Sequence, residues 1–381
     1  MRFARRFPIV SEAPRPLSVS AVSGPSLLRL ARTNREAARE QLRSLSPELQ
    51  AHAYRELRPG VRSEFLMLLD HPERVLPLLP EAEVCITLRA GGMSDAAWML
   101  EFSSAAQLRA CFDLDCWGTY ELEQPRVLEW IDALIEAGHE VLVRAIREMD
   151  LEIWVLALQG MTDVAVLGKE DIPPDGWLTV DGVVYFGPRE EDHFSRVREI
   201  ALATFKGSQD HYWQLVYGVL FETPAECQDY ALRWRTSRLS DLGFPGYEQA
   251  IQAYRPLQAK EAETWEHVPA TGALVPSLDL PERLRGSLLG AALAALPVER
   301  ATDVLGYILA VANTIAIADR LRLSDDESIP KALDKGVRGI EAGLRELARV
   351  RGQAPHEVLD RTRPLDLFRT GATLDRALRE R

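Results

Sequence analysis

The sequence predicts a mainly α-helical protein, an α-solenoid-like stack of helices with a small β-hairpin or three-stranded insert. Three observations support this fold class. Apolar residues recur at steps of three and four through most of the chain, which is the spacing of one face of an α-helix. The helical segments and the turns between them are short, as in solenoids. Finally, Asp181-Gly182 separates two β-favouring runs, which is the strongest short-range signal for a hairpin.

The most strongly patterned stretch runs from Cys111 to Leu158. Pro125 suits the first turn of a helix, and Gly138 suits its end because glycine enters the left-handed region cheaply. A second helix of the same period follows. Residues 153–158 are apolar on every face, which predicts a buried helix. The apolar stripe of the first helix consists of Val127, Leu128, Trp130, Ile131, Leu134 and Ile135.

Two pairs of residues in the first half have the spacing of a capping box, Asp70 with Glu73 and Ser104 with Gln107. Each pair predicts the start of a helix. The sequence as a whole divides into four parts. They are a flexible basic arm (1–24), an N-terminal helical-stack domain (25–160), a small β element (161–188) and a C-terminal helical domain (189–381).

The β element is predicted around the Asp181-Gly182 turn. Residues 177–180 and 183–186 are the two strands of the hairpin, and Val164–Leu167 is a candidate third strand. Because a lone hairpin is marginally stable in water, we expect this element to pack on the helices.

Helical periodicity returns after the hairpin. His193–Phe205 and Tyr212–Phe221 are amphipathic, and Thr223 with Glu226 forms a capping box that opens a helix through residue 238. From Pro355 onward the chain is helical but polar, so we expect the C-terminal helices to bury little.

The segment Leu284–Leu323 is predicted to be a buried helical hairpin. Its most apolar run, Leu305–Ala318, is shorter than the roughly 20 residues that a membrane span requires, and it contains Asn313. We therefore predict no membrane span. Ser324 with Glu327 has the spacing of a cap for the next helix.

The charge is unevenly distributed. The chain of 381 residues has a net charge of −12. Residues 1–45 contain nine arginines and three glutamates, a net charge of +6, so the remainder carries −18. An acidic body argues against nucleic-acid binding outside residues 1–45.

Four cysteines are too few for a disulfide framework, and the N-terminus lacks the apolar core of a signal peptide. We therefore expect a cytoplasmic protein.

The most distinctive polar stretch lies between residues 230 and 238. Tyr230 and Trp234 share one helix face, and Arg235 and Arg238 share the neighbouring face. Arginines beside aromatic rings suit planar anions, so Arg233, Arg235 and Arg238 are candidate anion-binding residues.

The polar clusters also have structural alternatives. The three arginines could instead form ion pairs with Asp229 and Asp241. The acidic turn at Asp113 and Asp115 could serve acid–base chemistry or a hard cation, or it could be a solvated turn.

A metal site is considered at two places and predicted at neither. Cys111 and Cys116 resemble one half of a zinc site, but no second cysteine pair exists to complete it. His193 and His211 each follow an aspartate, without the spacing of a known metal motif. We predict no metal and no cofactor.

Several of these stretches resemble a bacterial family catalogued as domain of unknown function 6178. The resemblance covers residue 40 to the C-terminus and implies no activity, cofactor or catalytic residue. It rests on Asp113-Leu-Asp-Cys-Trp117, Thr179-Val-Asp-Gly-Val-Val-Tyr185, Arg233-Trp-Arg235, Arg238-Leu-Ser-Asp-Leu-Gly-Phe-Pro245 and Tyr254-Arg-Pro256.

A second resemblance concerns architecture alone. Residues 45–49, Leu-Ser-Pro-Glu-Leu, and the leucine-rich helix that follows are similar to the superhelical domains of bacterial magnesium transporters and flagellar motor-switch proteins. Such a likeness implies a stack of short helices, and it does not transfer function.

Three hypotheses about function follow. The first is a non-enzymatic interaction or regulatory scaffold that binds a protein partner. The second is an enzyme or small-anion sensor with a site between the helical halves. The third is a basic arm that contacts nucleic acid or an anionic membrane. The sequence carries no catalytic signature and favours the scaffold. Its expected partner surface contains Trp117, Tyr120, Trp130, Tyr230 and Trp234.

Overall fold

A computed structural model describes residues 23–168, 170–262 and 284–379. The predicted basic arm and most of the predicted loop at 258–282 lie outside this range. The first helices are α1 (Gly24–Thr33), α2 (Arg35–Arg43), α3 (Pro47–Arg55), α4 (Arg62–Leu66), α5 (Glu81–Gly91), α6 (Met93–Ala96), α7 (Met99–Phe102) and α8 (Ala105–Asp115).

The two capping predictions in this part have different outcomes. Ser104 and Gln107 form the predicted capping box at the start of α8. The prediction at Asp70 is wrong, because its carboxylate accepts a hydrogen bond from the Arg43 guanidinium at 2.5 Å instead of capping a helix. Two 3₁₀ turns, Pro72–Arg74 and Leu76–Leu78, follow it instead of an α-helix.

The central helices match the periodicity of the sequence. They are α9 (Gln124–Ala137), α10 (His139–Glu148) and α11 (Leu151–Met161). Gly138 separates the first two with φ of +120°, as its predicted role at the helix end requires. In α11, Trp154 and Leu158 are fully buried, which confirms the interior position predicted for residues 153–158.

A three-stranded antiparallel sheet follows, in the order β1 (Thr162–Val166), β3 (Val184–Pro188), β2 (Leu178–Thr179). The hairpin and the third strand are therefore confirmed. The turn is held by Asp181, whose carboxylate accepts hydrogen bonds from the backbone N–H groups of Val183 and Val184 at 2.9 and 2.8 Å. Buried Phe186 and Val184 anchor the central strand to the helices.

Three longer helices then return to the central group: α12 (His193–Gly207), α13 (Gln209–Phe221) and α14 (Pro224–Asp241). Helix α12 packs on α9 and α10, whereas α13 and α14 both pack on α11. The division into domains at residue 189 stays a prediction, although the packing joins these three helices to the N-terminal stack.

The last part contains α15 (Tyr247–Ala250), α16 (Leu288–Ala294), α17 (Val298–Ala318), α18 (Ser328–Arg351), α19 (Pro355–Arg361) and α20 (Pro364–Arg379). The expectation that the C-terminal helices bury little is wrong. Leu367 and Phe368 are buried against α18. The two helices approach closely at Gly343 and Gly371, because glycine has no Cβ atom. A Cβ atom at either position would overlap backbone atoms of the facing helix.

The segment predicted to form a helical hairpin, Leu284–Leu323, contains two helices, and the second of them, α17, begins at Val298. By length and composition, it is the one helix in the described part of the chain that could cross a membrane. Here it packs against α15, α18 and α20, and its Val304, Ile308 and Asn313 are buried.

Candidate functional site

A cavity of about 640 Å³ lies where the N-terminal stack, α14 and the last helices meet. We call it the junction cavity. Its wall is formed by Leu114, residues 117–120, Glu123, the inner face of α14, residues 245–249, the end of α17 and residues 320–323. Several separate stretches of chain thus contribute to one pocket, which is typical of ligand sites.

Backbone hydrogen bonds hold the turn at residues 117–123, which forms one wall of the cavity. The backbone N–H of Gly118 donates to the carbonyl of Glu121 at 2.9 Å, and that of Glu123 donates to the carbonyl of Cys116 at 2.7 Å. These bonds close the 117–123 turn directly after α8. The opposite wall is helix α14, which begins at the Thr223–Glu226 capping box and runs for 18 residues.

Arg235 of α14 is the most unusual residue of the cavity. Only 8% of its surface is exposed. Its Nε donates to the backbone carbonyl of Asp113 at 2.7 Å, and its Cζ lies 5.5 Å from the ring centroid of Trp117. Its two terminal nitrogens have no hydrogen-bond or ion-pair partner among the described residues. Burial lowers the pKa of Arg235 to about 10 and outweighs the charge of the nearby Asp113 carboxylate, which raises it. At neutral pH Arg235 is therefore a largely buried charge that no carboxylate among the described residues hydrogen-bonds.

Arg238, one turn further along α14, differs from Arg235 because two carboxylates hydrogen-bond it. Its guanidinium pairs with Asp113 at 2.6 and 2.8 Å and with Asp150 at 2.7 and 3.1 Å. Burial lowers the pKa of Arg238, but the hydrogen bonds to the two carboxylates outweigh burial and raise it. Both oxygens of Asp113 accept hydrogen bonds from Arg238, so that carboxylate acts on Arg235 through its charge alone.

Asp115 joins the cavity wall to the rest of the molecule. This fully buried carboxylate accepts hydrogen bonds from the Arg89 guanidinium, from Trp130 Nε1 at 2.8 Å and from the Ser324 hydroxyl. Ser324 therefore does not cap the next helix as its spacing predicts. Arg322 adds a bond to the Asp115 carbonyl at 3.0 Å. These contacts connect the end of α8 with the segment that follows α17.

Arg322 also forms an ion pair in the wall of the junction cavity. Its guanidinium pairs with the Glu123 carboxylate at 2.9 Å. Both side chains line the cavity, and each is about one-third exposed. Arg322 therefore has a hydrogen-bonded carboxylate partner, which Arg235 lacks among the described residues.

Arg320 at the cavity rim has a strained backbone. Its φ is +55°, and it is the one non-glycine residue with positive φ in the described ranges. The N–H of Leu321 donates to the Ala316 carbonyl, and that of Arg320 donates to the Ile317 carbonyl. This is the Schellman pattern at a helix end, where glycine normally occupies the position of Arg320. An arginine is retained there at a cost of about 1–2 kcal/mol.

Two tyrosines complete the rim. The ring centroids of Tyr120 and Tyr247 lie 5.7 Å apart in an edge-on arrangement. The Tyr120 hydroxyl donates to the Glu248 carboxylate, and this hydrogen bond raises its pKa. The Arg320 guanidinium donates to the Tyr247 hydroxyl at 2.9 and 3.1 Å. The rim thus combines aromatic faces with a cation that has no carboxylate partner among the described residues.

Comparison with known protein families identifies one family that matches most of the chain. Residues 39–381 match the family described as "Family of unknown function (DUF6178)". The chain belongs to this family. A search of curated proteins and a search of solved structures each found no match. The match agrees with the resemblance seen in the motifs, and several of those motifs contribute to the junction cavity or the ion pairs behind it.

The three candidate anion-binding arginines of this DUF6178 chain occupy three different environments. Arg235 lines the cavity and Arg238 lies in the ion pairs behind it, whereas Arg233 points outward and pairs with Asp229 at 2.6 Å. The predicted pairing with Asp229 is therefore present for Arg233. Arg238 finds its carboxylates in distant segments rather than at Asp241.

The five aromatic residues predicted to form a partner surface also occupy different environments, two of them buried and three exposed. Trp130 is fully buried and Trp117 is 5% exposed, so neither lies on the outer surface where the sequence places it. The reason is that Trp130 supports Asp115, while Trp117 packs under Arg235. Tyr120 is 44% exposed at the rim, and Tyr230 and Trp234 are 53% and 56% exposed on α14.

The acidic turn is not a solvated turn, because Asp113 and Asp115 are buried in ion pairs at the end of α8. Cys111 and Cys116 are buried free thiols. Among the described residues, the one group of three potential metal ligands is Glu190, Asp192 and His193. Arg196 already pairs with Asp192 at 3.0 Å, and His193 Nδ1 lies 3.2 Å from the Met161 carbonyl oxygen. We assign this group no role.

Several residues of the site carry no signal in the sequence. Arg320 and Arg322 follow an apolar helix as ordinary surface arginines would, and Tyr247 begins a helix of four residues. A positive φ at a non-glycine residue is visible only in three dimensions. Asp150 precedes α11 in the position of a helix cap, and nothing local indicates that it pairs with α14.

Proposed function

We propose that this protein binds a small anion in the junction cavity and that Arg235 is the principal contact of that anion. The observation that carries the proposal is the buried guanidinium with two unpaired terminal nitrogens at the wall of a cavity. This corresponds to the small-anion sensor considered in the sequence analysis, with its site between the helical halves.

The energetics favour a ligand contact over a purely structural role for Arg235. Removing a charge from water costs free energy unless hydrogen-bonding partners replace the water, and the terminal nitrogens of Arg235 have none among the described residues. A carboxylate or phosphate bound to the guanidinium would offset that cost with two charge-assisted hydrogen bonds. Arg238 on the same helix is an internal comparison, because its charge is fully paired by protein carboxylates.

The strained Arg320 supports the same proposal independently. Backbone strain of this kind tends to cluster at functional sites, where a side chain is kept despite its cost. Arg320 places a second cation at the mouth of the cavity, and in the described part of the chain its side chain hydrogen-bonds only to Tyr247.

The cavity lining favours binding rather than catalysis. Its described residues include threonines, tyrosines, arginines and two glutamates, but no histidine, cysteine or lysine. Neither threonine in the wall donates a hydrogen bond to a cavity glutamate, so no nucleophile–base pair is formed among these residues. We propose a ligand-binding protein whose ligand connects the two halves of the fold.

Substituting the three arginines of α14 separately tests the proposal. We expect Arg235→Met to weaken anion binding by at least about 100-fold, because two charge-assisted hydrogen bonds are lost. Its unfolding free energy should stay within about 1 kcal/mol of the wild-type value, because the variant also removes the desolvation cost of a buried charge that no carboxylate hydrogen-bonds. Isothermal titration with benzoate and with phosphate, together with urea unfolding, measures both effects.

The neighbouring arginines are matched controls. Arg233→Met should leave both binding and stability unchanged, since its ion pair is exposed. Arg238→Met should lose about 3–5 kcal/mol of stability, because Asp113 would remain buried and charged. The proposal is rejected if Arg235→Met binds as tightly as wild type, or if it is as unstable as Arg238→Met.

Arg320→Gly tests the second cation. Relief of the backbone strain and loss of the bonds to Tyr247 should nearly cancel, so we expect stability to change by less than about 1 kcal/mol. Binding of the same anions should weaken by about tenfold, because a positive charge leaves the rim. A loss of more than about 2 kcal/mol in stability with unchanged affinity would instead make Arg320 a structural residue.

The scaffold hypothesis remains a prediction. The aromatics that support it lie on α13 and α14, where Tyr217 and Phe221 stack at 6.0 Å and are 55% and 76% exposed, with Tyr230 and Trp234 on the next helix. No feature of this surface indicates what would cover it, so the junction cavity is the better supported site. The basic-arm hypothesis concerns residues 1–24, nearly all of which lie outside the described part of the chain.

A further inference from the structure

We infer that the ligand of the junction cavity is a monocarboxylate with an apolar body, such as an aromatic or medium-chain acid. This inference rests on the proposed function, because it concerns the same cavity and the same contact with Arg235. Three properties of the wall lead to it: its charge, the geometry of the available donors, and its apolar surface.

The charge of the wall suits a single negative charge. The charged residues that line the cavity are three arginines and two glutamates, which leaves an excess of one positive charge. Glu123 is paired with Arg322, and Glu248 accepts a bond from Tyr120. A second negative charge on the ligand would find an unpaired cation only at the mouth, where Arg320 lies, and in the interior it would face these carboxylates. A monoanion is therefore favoured over a dicarboxylate or a phosphate monoester.

The geometry of the donors suits a planar carboxylate. The Nε of Arg235 is already bound to the Asp113 carbonyl, so the guanidinium offers only its two terminal nitrogens. Two parallel N–H donors match the two oxygens of one carboxylate. A phosphate presents three oxygens and carries close to two charges at neutral pH, so part of its charge would stay unpaired.

The rest of the cavity suits an apolar body. Six aliphatic side chains line it: Leu114, Leu232, Leu239, Ile317, Leu321 and Leu323. The faces of Trp117, Tyr120 and Tyr247 add aromatic surface. A cavity of about 640 Å³ falls within the range of sites that enclose drug-sized ligands and is far larger than an inorganic anion requires. The inorganic anion alone would leave this apolar wall in contact with water.

A ligand series measures this inference directly. We expect isothermal titration of the full chain to give an affinity that rises by about fourfold per methylene from butyrate to octanoate, because each added CH₂ leaves water. Octanamide, which has the same body without the charge, should bind at least tenfold more weakly than octanoate. Succinate and inorganic phosphate should bind more weakly than hexanoate.

Substitutions at two positions separate the contribution of the apolar wall from that of the Arg235 charge. Leu232→Gln changes a half-buried wall residue and should flatten the dependence on chain length while butyrate binding stays the same. Arg235→Met should abolish the difference between octanoate and octanamide, and Arg235→Lys should restore part of it because a charge is returned without the two-pronged donor.

The outcomes distinguish the inference from the proposed function. If phosphate or succinate binds at least as tightly as octanoate and depends on Arg235, the ligand class is wrong and the anion site stands. If octanoate binds equally well to wild type and to Arg235→Met, or if no anion of the series binds, both are rejected.

Discussion

Replacing Asp115 with alanine should destabilise the protein by about 3–5 kcal/mol. This fully buried carboxylate is the shared acceptor of Arg89, Trp130 and Ser324. Without it, the half-buried Arg89 cation keeps only its bond to the partly exposed Glu129, and the indole N–H of Trp130 loses its acceptor. Leaving buried donors unpaired costs the full desolvation penalty of each group, which is why we expect a loss this large.

Urea unfolding of Asp115→Ala beside Asp132→Ala provides the measurement. Asp132 is also paired with an arginine, Arg196 at 2.7 Å, but its side chain is half exposed, so its removal should cost less than about 1 kcal/mol. Asp115→Asn keeps the size of the side chain and should fall between the two. Equal stabilities of the Asp115→Ala and Asp132→Ala variants would contradict the role assigned to Asp115 as the connection between α8 and the segment after α17.

Replacing Gly343 with alanine should destabilise the protein by about 2–3 kcal/mol, although alanine is the better helix former. A Cβ atom at this position would overlap the backbone carbonyl of Leu367 in α20. A backbone atom cannot rotate away as a side chain can, so the two helices must move apart and the packing of Leu367 and Phe368 must loosen. Thermal unfolding measures the loss.

Gly336→Ala is the matched control in the same helix. The added Cβ would lie 3.2 Å from the end of the Ile315 side chain, which can shift by a few tenths of an ångström. We expect this variant to be neutral or stabilised by up to about 1 kcal/mol through its helix propensity. A Gly343→Ala protein as stable as Gly336→Ala would show that α18 and α20 are not in direct backbone contact.

The sequence was most informative where structure depends on neighbouring residues. The stripe in α9, the glycine after it, the capping boxes at Ser104 and Thr223 and the Asp181-Gly182 hairpin are all local patterns, and each is present in the fold. Ser324 shows the limit of such patterns. Its spacing to Glu327 suits a cap, but a buried carboxylate 209 residues earlier in the chain takes its hydroxyl instead.

The candidate site was predictable only in part, for the same reason. Residue type and helix face selected Arg235 and Arg238 together, because one helical turn separates them and local sequence gives both the same environment. Their difference comes from Asp113 and Asp150, more than 80 residues away, whose carboxylates hydrogen-bond Arg238 and not Arg235. The strained arginine at position 320 has no local signature, since its conformation is set by the helix end that it closes.

The measurement that addresses the central claim most directly is a crystal structure of the full chain with 4-bromobenzoate, whose bromine can be located by anomalous scattering. The account predicts one bound molecule in the junction cavity, with its carboxylate oxygens about 2.7–2.9 Å from the terminal nitrogens of Arg235 and its ring against the apolar wall. A cavity without the ligand, or an Arg235 guanidinium paired with a carboxylate of the protein itself, would contradict it.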